Sequence, residues 1–189
     1  MTGLSVGLIV LALVALWLLM AWRGLVAARD AADATWQAID IHLAERHTLV
    51  PALVAAVQAE TASEAQTLGR LSAARELAVA GGTPWERADA ERRLVAGITS
   101  VATLAERHPG LGAAAAFVDL QARLAEIEDQ IHAARRVYNA DVRLYRTRRS
   151  RLPGSLLKRL GDFEDRPYFE LDHTRERGTP TLALVRTPA

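Results

Sequence analysis

An uncharged N-terminal segment constrains the fold of this chain more than any other feature. From Thr2 to Trp22 no side chain carries a charge. At 1.5 Å per residue, a helix over residues 4–22 is about 28 Å long, which matches the hydrocarbon thickness of a bilayer. Trp17 and Trp22 lie near its end, where membrane helices often carry aromatic side chains. The sequence therefore predicts a transmembrane helix over residues 4–22, preceded by a short flank, residues 1–3.

Two other interpretations of this segment are a cleaved signal peptide and a buried core helix. A signal peptide needs a basic N-terminal region and small residues at its cleavage site. Here the N-terminal flank has no charged side chain, and the run ends in the bulky sequence Met20-Ala21-Trp22-Arg23. A core helix would be apolar on every face, which a small bundle can rarely cover. An uncleaved anchor is therefore the favoured interpretation.

The charges on either side of the anchor predict its orientation. Residues 1–3 carry only the terminal amine, whereas Arg23 and Arg29 follow the apolar run. Basic flanks remain on the cytoplasmic side. We therefore expect a single-pass protein of the inner (cell) membrane, with its N-terminus outside and residues 23–189 in the cytoplasm.

Residues 23–152 show the hydrophobic periodicity of an elongated antiparallel, up-and-down helical bundle. Between Leu25 and Val57, apolar side chains recur at three- and four-residue spacings. The stripe keeps its phase beyond Pro51, which favours a kinked helix over a loop at this proline. Glycine and proline bound the later helices, with a stop at Gly81-Gly82, a start at Thr83-Pro84, a stop at His108-Pro109-Gly110 and a last helix over residues 112–150.

The number of long helices depends on the polar residues that follow the first stripe. A break near residues 58–63 gives four helices, which is the favoured arrangement, and it returns the last helix to the membrane end. One kinked helix over residues 25–80 gives three long helices instead. Residues 153–170 are expected to pack on or near the bundle, with a short helix over residues 155–160. Residues 171–189 are polar and are expected to be flexible. The predicted fold class is all-α.

Composition excludes several kinds of site. The chain has no cysteine, so disulfides, zinc–thiolate sites, iron–sulfur clusters and cysteine nucleophiles are absent. The formal net charge is +1, so no global field favours nucleic acid. His42 and Glu45 share a helix face, but His47 lies away from it and no third convergent ligand is visible. No metal or other cofactor is expected, and no catalytic pairing is visible.

Several segments resemble the LemA family. The most specific in combination are Tyr138-Asn139, within Ala134–Asn139, and Arg166-Pro167-Tyr168-Phe169-Glu170, within Phe163–Glu170. The other matching segments are Ala34–Asp40, Arg46–Val54, Ala73–Arg75, His108–Leu111, Phe117, Leu120-Gln121 and Glu126–Ile131. The resemblance covers about residues 23–170. It implies a single-pass membrane protein with an elongated helical bundle and a role in membrane or envelope organisation.

Three groups of residues are candidates for packing or function. Trp36, Trp85 and Tyr138 are expected to be core anchors. Glu128, Arg135 and Asn139 lie beside the apolar stripe of the last helix, either as a buried interhelical polar network or as a solvated flank. A basic cluster is a candidate for contact with anionic headgroups, and a solvated helix end is its alternative. The members of the cluster are Arg143, Arg146, Arg148, Arg149 and Arg151.

The predicted function is a membrane-anchored scaffold or interaction protein without enzymatic activity. The expected partners are the lipid bilayer and an unidentified protein, with self-association as an alternative. Two other functions remain open at this stage. The basic cluster would suit a module that binds RNA or anionic lipid, although aromatic residues rarely interleave it. An unrecognised enzyme would need a pocket with convergent titratable groups.

Overall fold

The computed structural model describes residues 2–61, 64–82 and 84–169, with side chains described except at residues 2–4 and 84–85. This part of the chain is all-α, as predicted. Its helices are α1 (Thr2–Glu60), α2 (Ala65–Ala80), α3 (Pro84–Arg107), α4 (Pro109–Ala113), α5 (Ala115–Ser150) and α6 (Gly154–Leu157).

The helix α1 carries both the apolar N-terminal segment and the first helix of the bundle. It has 59 residues and is therefore about 88 Å long. It continues through Pro51, whose side chain faces solvent, so this proline does not introduce a loop. An 18-residue stretch at this end of α1 has a mean hydropathy of 2.5, and none of its residues is buried in the described structure. By length and composition, this end of α1 can cross a membrane.

The chain does break after the first helix, which confirms the favoured four-helix arrangement. The helix α1 ends at Glu60 and α2 begins at Ala65. Arg75 of α2 donates a 2.7 Å hydrogen bond to the carbonyl oxygen of His47, so α2 runs back along α1. The helix α3 reverses again, and α5 returns along α1 in the opposite direction.

The bundle has two halves of different construction. In the distal half, α1, α2, α3 and α5 enclose one apolar core. This distal core contains Val50, Leu53, Val57, Leu68, Leu71, Leu94, Val101, Leu104, Phe117 and Leu124. The shorter α2 and α3 do not extend to the end of the bundle next to the apolar segment, which is called here the membrane end. There, α1 and α5 form a two-helix hairpin, and the apolar surface between them is covered by residues 158–169, called here the C-terminal segment.

Some helix bounds differ from the sequence expectation. The last long helix begins at Ala115 and not at residue 112, because Ala114 adopts an extended conformation with ψ of 118°. The short helix α6 ends at Leu157, before the expected end at residue 160. The side chain of Trp85 and the tail over residues 171–189 lie outside the described residues.

Candidate functional site

A row of polar side chains on α5 holds the C-terminal segment, which has no regular secondary structure of its own. The hydroxyl of Tyr138 donates to the carbonyl oxygen of Pro167 at 2.8 Å. Asn139 pairs twice with the backbone of Phe169, donating at 3.2 Å and accepting at 3.0 Å. The Tyr145 hydroxyl donates to another carbonyl of the segment at 2.7 Å. These side chains satisfy backbone groups that a helix or sheet would otherwise pair.

Two aromatic side chains of the C-terminal segment enter the groove between α1 and α5. Phe163 is buried and meets Trp22 edge to face, with ring centroids 5.1 Å apart. Phe169 is buried against Trp36 in the same geometry, also at 5.1 Å. Tyr138 is also buried against Trp36, with ring centroids 5.2 Å apart. The segment is therefore part of the core of the membrane-proximal half.

One ion pair fixes the register of the segment on α1. Arg166 donates two hydrogen bonds to the carboxylate of Asp33, at 2.9 and 3.2 Å. The hydrogen bond to Asp33 raises the pKa of Arg166 above its ordinary value, so the guanidinium stays charged. Burial raises the pKa values of Tyr138 and Tyr145, so both hydroxyls remain protonated donors at neutral pH.

A buried charged cluster lies where α1, α3 and α5 meet. Arg46 is 1% exposed and Glu91 is fully buried, and the two form an ion pair between α1 and α3. Arg46 also donates to Glu128 of α5 at 2.6 Å. His47 donates from Nε2 to the second oxygen of Glu91 at 2.8 Å. This cluster joins three helices at one level and so fixes their register.

Two opposing effects determine the pKa of Glu91 in this cluster. Burial by itself raises the pKa of this carboxyl group, because it disfavours the charged form. The hydrogen bond from His47 and the charge of Arg46 outweigh burial, so the pKa of Glu91 is lowered from 4.5. Glu91 is therefore ionised in the folded protein at neutral pH.

The sequence of this chain matches a known protein family. A family model of LemA proteins matches residues 35–183, which is most of the chain. The chain belongs to the LemA family. The matched range includes the buried charged cluster, the row of side chains on α5 and the C-terminal segment. No curated protein matches the sequence.

In this LemA protein, the predicted trio Glu128, Arg135 and Asn139 faces different partners. Glu128 reaches Arg46 on α1 and lies 3.3 Å from His132 on its own helix. Asn139 binds the backbone of the C-terminal segment. Arg135 is half-exposed, and no contact joins it to the other two in the described part of the chain.

The predicted basic cluster serves a structural purpose at three of its five positions. Arg146 donates to the carbonyl oxygen of Arg166 at 3.0 Å, and Arg149 donates to that of Phe163 at 2.7 Å. Arg148 binds the backbone of α1. Arg143 and Arg151 are exposed. The cluster therefore holds the LemA fold together at its membrane end, in addition to any contact with lipid.

The remaining candidates do not converge. His42 lies 3.3 Å from Glu45 on an exposed face. Within the described residues, no group of three His, Asp or Glu side chains could hold a metal ion. A depression of about 250 Å³ near the distal end is open to solvent. Its lining residues are Glu64, Thr67, Ser100, Thr103, Leu104 and Arg107.

Two ion pairs were not predicted from the sequence. Arg46 lies three residues after Leu43 and four before Val50, which continues the spacing of the apolar stripe and signals burial, but its partner Glu91 is 45 residues away. Arg166 and Asp33 are separated by 133 residues. Only a pattern relating distant positions could have revealed either pair.

Proposed function

We propose that this LemA-family chain is a single-pass scaffold of the inner membrane, with its N-terminus outside and its bundle in the cytoplasm. It acts by binding a protein partner and not by catalysis, and it serves membrane or envelope organisation. The orientation rests on Arg23 and Arg29, which follow the apolar segment, while the opposite flank has no charged side chain.

The observation that carries this proposal is the continuity of α1. The apolar segment and the first helix of the bundle form one helix, from Thr2 to Glu60, without a linker. The bundle is therefore coupled rigidly to the anchor, since a continuous helix transmits orientation where a loop does not. Residues 23–60 alone extend about 57 Å from the membrane. A protein bound to this surface is held at a fixed distance from the bilayer.

The bundle carries exposed apolar side chains that suit a protein partner. Leu77 and Val79 on α2 are 50% and 55% exposed. Val118 on α5 is 49% exposed. The buried core of a protein interface is more apolar than its rim, so these positions suit contact with a partner.

Site-specific photo-crosslinking in cells tests the scaffold. A photoreactive amino acid is placed at Leu77, at Val79 or at Val118 of the full chain. We expect at least one of these positions to give a discrete adduct with one cellular protein. The matched control is Arg123, an exposed polar position on α5 whose side chain is 62% accessible. It should give no such adduct.

Two other outcomes of the crosslinking experiment would lead to different conclusions. Adducts between two copies of the chain would support self-association in place of a separate partner. An absence of protein adducts from all three apolar positions, with the chain present in the membrane at normal abundance, would contradict the scaffold.

A further inference from the structure

The turn that follows α5 exposes a group of leucines. Residues 151–160, called here the membrane-end lobe, comprise the turn after α5, the short helix α6 and the turn that follows α6. Leu152 is 71% exposed, Leu156 is 60% exposed and Leu160 is 76% exposed. Three large apolar side chains in so short a segment are costly in water. Within the described residues, no other side chain covers these leucines.

The lobe lies beside the end of the anchor. Leu157 is buried in a cluster with Leu25 and Tyr145. Leu18 and Ala21, which belong to the apolar segment, pack against the same cluster. The lobe therefore overlaps the last turns of the predicted transmembrane helix, at the level where hydrocarbon gives way to headgroups.

Close packing keeps the lobe in this position. The backbone of Gly154 touches that of Arg148 so closely that a Cβ atom would collide with its carbonyl oxygen. A Cβ atom on Gly161 would lie 2.7 Å from the ring of Trp22. The backbone is therefore closely packed within the lobe at Gly154 and directly after it at Gly161.

The charges of the lobe complement an anionic surface. Arg151, Lys158 and Arg159 lie among the three leucines, and residues 151–160 contain no acidic side chain. Arg151 and Arg159 are exposed. Alternating leucines and basic residues are typical of segments that lie in the interface of a membrane.

We infer that the membrane-end lobe is a second membrane contact, which inserts its leucines into the cytoplasmic leaflet beside the anchor. Leu152, Leu156 and Leu160 enter the boundary between headgroups and acyl chains, about 5–10 Å deep. Its basic side chains bind anionic headgroups. This inference rests on the proposed anchoring of α1. It fixes the tilt of the bundle, because the membrane then holds two points of the molecule instead of one.

Depth-dependent fluorescence quenching tests the lobe. The full chain has no cysteine, so Leu156→Cys and Leu160→Cys give single sites for an environment-sensitive NBD label. Each protein is reconstituted in vesicles of phosphatidylcholine and phosphatidylglycerol. We expect nitroxide lipids to quench both labels several-fold more than a label at Val137→Cys. Val137 is 52% exposed, but it lies earlier in α5 and therefore farther from the membrane-end lobe. A nitroxide near the headgroup should quench more than one near the chain end.

A label at Val10→Cys, within the apolar segment, separates this inference from the proposed function. If that label is quenched while those at Leu156 and Leu160 are no more quenched than the one at Val137, the anchor stands and the lobe contact is refuted. Blue-shifted but unquenched emission from the lobe would indicate cover by a second copy, and would equally overturn the inference. If the Val10 label is unquenched, the anchor itself fails.

Vesicles of phosphatidylcholine alone test whether the basic side chains of the lobe bind anionic headgroups. Quenching at Leu160 should fall when the anionic lipid is omitted. Unchanged quenching would contradict the part assigned to Arg151, Lys158 and Arg159.

Discussion

Arg148 near the end of α5 donates a 2.6 Å hydrogen bond to the backbone carbonyl oxygen of Gly24 on α1. Gly24 follows the apolar segment by two residues, so the last long helix ends beside the end of that segment. This contact brings the C-terminal end of the bundle back to the apolar segment. In the proposed orientation the basic cluster lies on the cytoplasmic side, where basic side chains are favoured.

A distance between spin labels measures this return directly. We expect labels at Ala27→Cys and Ser150→Cys, both at exposed positions, to lie within about 20 Å of each other, as neighbouring helices require. Pulsed electron resonance on the full chain in lipid nanodiscs gives the distance. A separation beyond about 45 Å, which is most of the roughly 54 Å length of the 36-residue α5, would place the two helix ends apart and contradict the up-and-down topology.

Loss of the Glu91 carboxylate should destabilise the bundle strongly. In Glu91→Gln, the buried guanidinium of Arg46 loses its fully buried counter-charge, for which a cost of about 3–5 kcal/mol in the free energy of unfolding is typical. Urea unfolding of the full chain in detergent measures it. Asp119→Asn is the matched control, because Asp119 pairs with Arg123 on the surface and its loss should cost less than about 1 kcal/mol.

Glu91→Gln should also change how the free energy of unfolding depends on pH. Because the pKa of Glu91 is lower in the folded state than its ordinary value of 4.5, its contribution to stability is complete above pH 4.5 and is lost as the pH falls through the folded pKa. Stability should therefore fall less steeply with acid in Glu91→Gln. Burial raises the pKa of Asp40, with a smaller contribution from the charge of Glu91, so Asp40 acts in the opposite direction and does so less strongly in Glu91→Gln. Identical acid slopes would show that Glu91 is not held ionised by Arg46 and His47.

Removing one ring of the C-terminal segment should matter far more than removing its neighbour. Phe169 is 3% exposed against Trp36, so Phe169→Ala should cost about 3–5 kcal/mol. Tyr168 is 37% exposed, and Arg146 lies 4.7 Å above its ring. Because such a contact is worth about 0.5–1 kcal/mol, Tyr168→Ala should cost much less. Tryptophan fluorescence during urea unfolding measures both variants. Equal losses would show that the segment is not a specific part of the core.

Helix order and topology could be predicted from the sequence because local signals set them. Gly81-Gly82 ends α2, and Pro84 begins α3 at the first helical position. The polar stretch after Val57 marked the break between α1 and α2. These features depend on residues close together in the chain, so spacing and end signals favoured four helices while leaving three long helices as the alternative.

The contacts of the C-terminal segment could not be predicted in the same way. Its residues have no helical or strand periodicity, and side chains on α5 supply its hydrogen bonds. The aromatic partners of Phe169 come from α1 and α5, and Trp36 is more than a hundred residues away in the chain. The basic cluster was recognised as charge, but nothing local showed that Arg146 and Arg149 bind backbone carbonyl groups.

Cysteine accessibility in intact cells tests the proposed topology, on which the scaffold depends. Thr2→Cys places a thiol before the apolar segment, and Arg123→Cys places one on the exposed surface of the bundle. A membrane-impermeant thiol reagent should label position 2 in intact cells and should reach position 123 only after permeabilisation. Labelling of position 123 in intact cells, with position 2 protected, would put the bundle outside the cytoplasm and contradict the account.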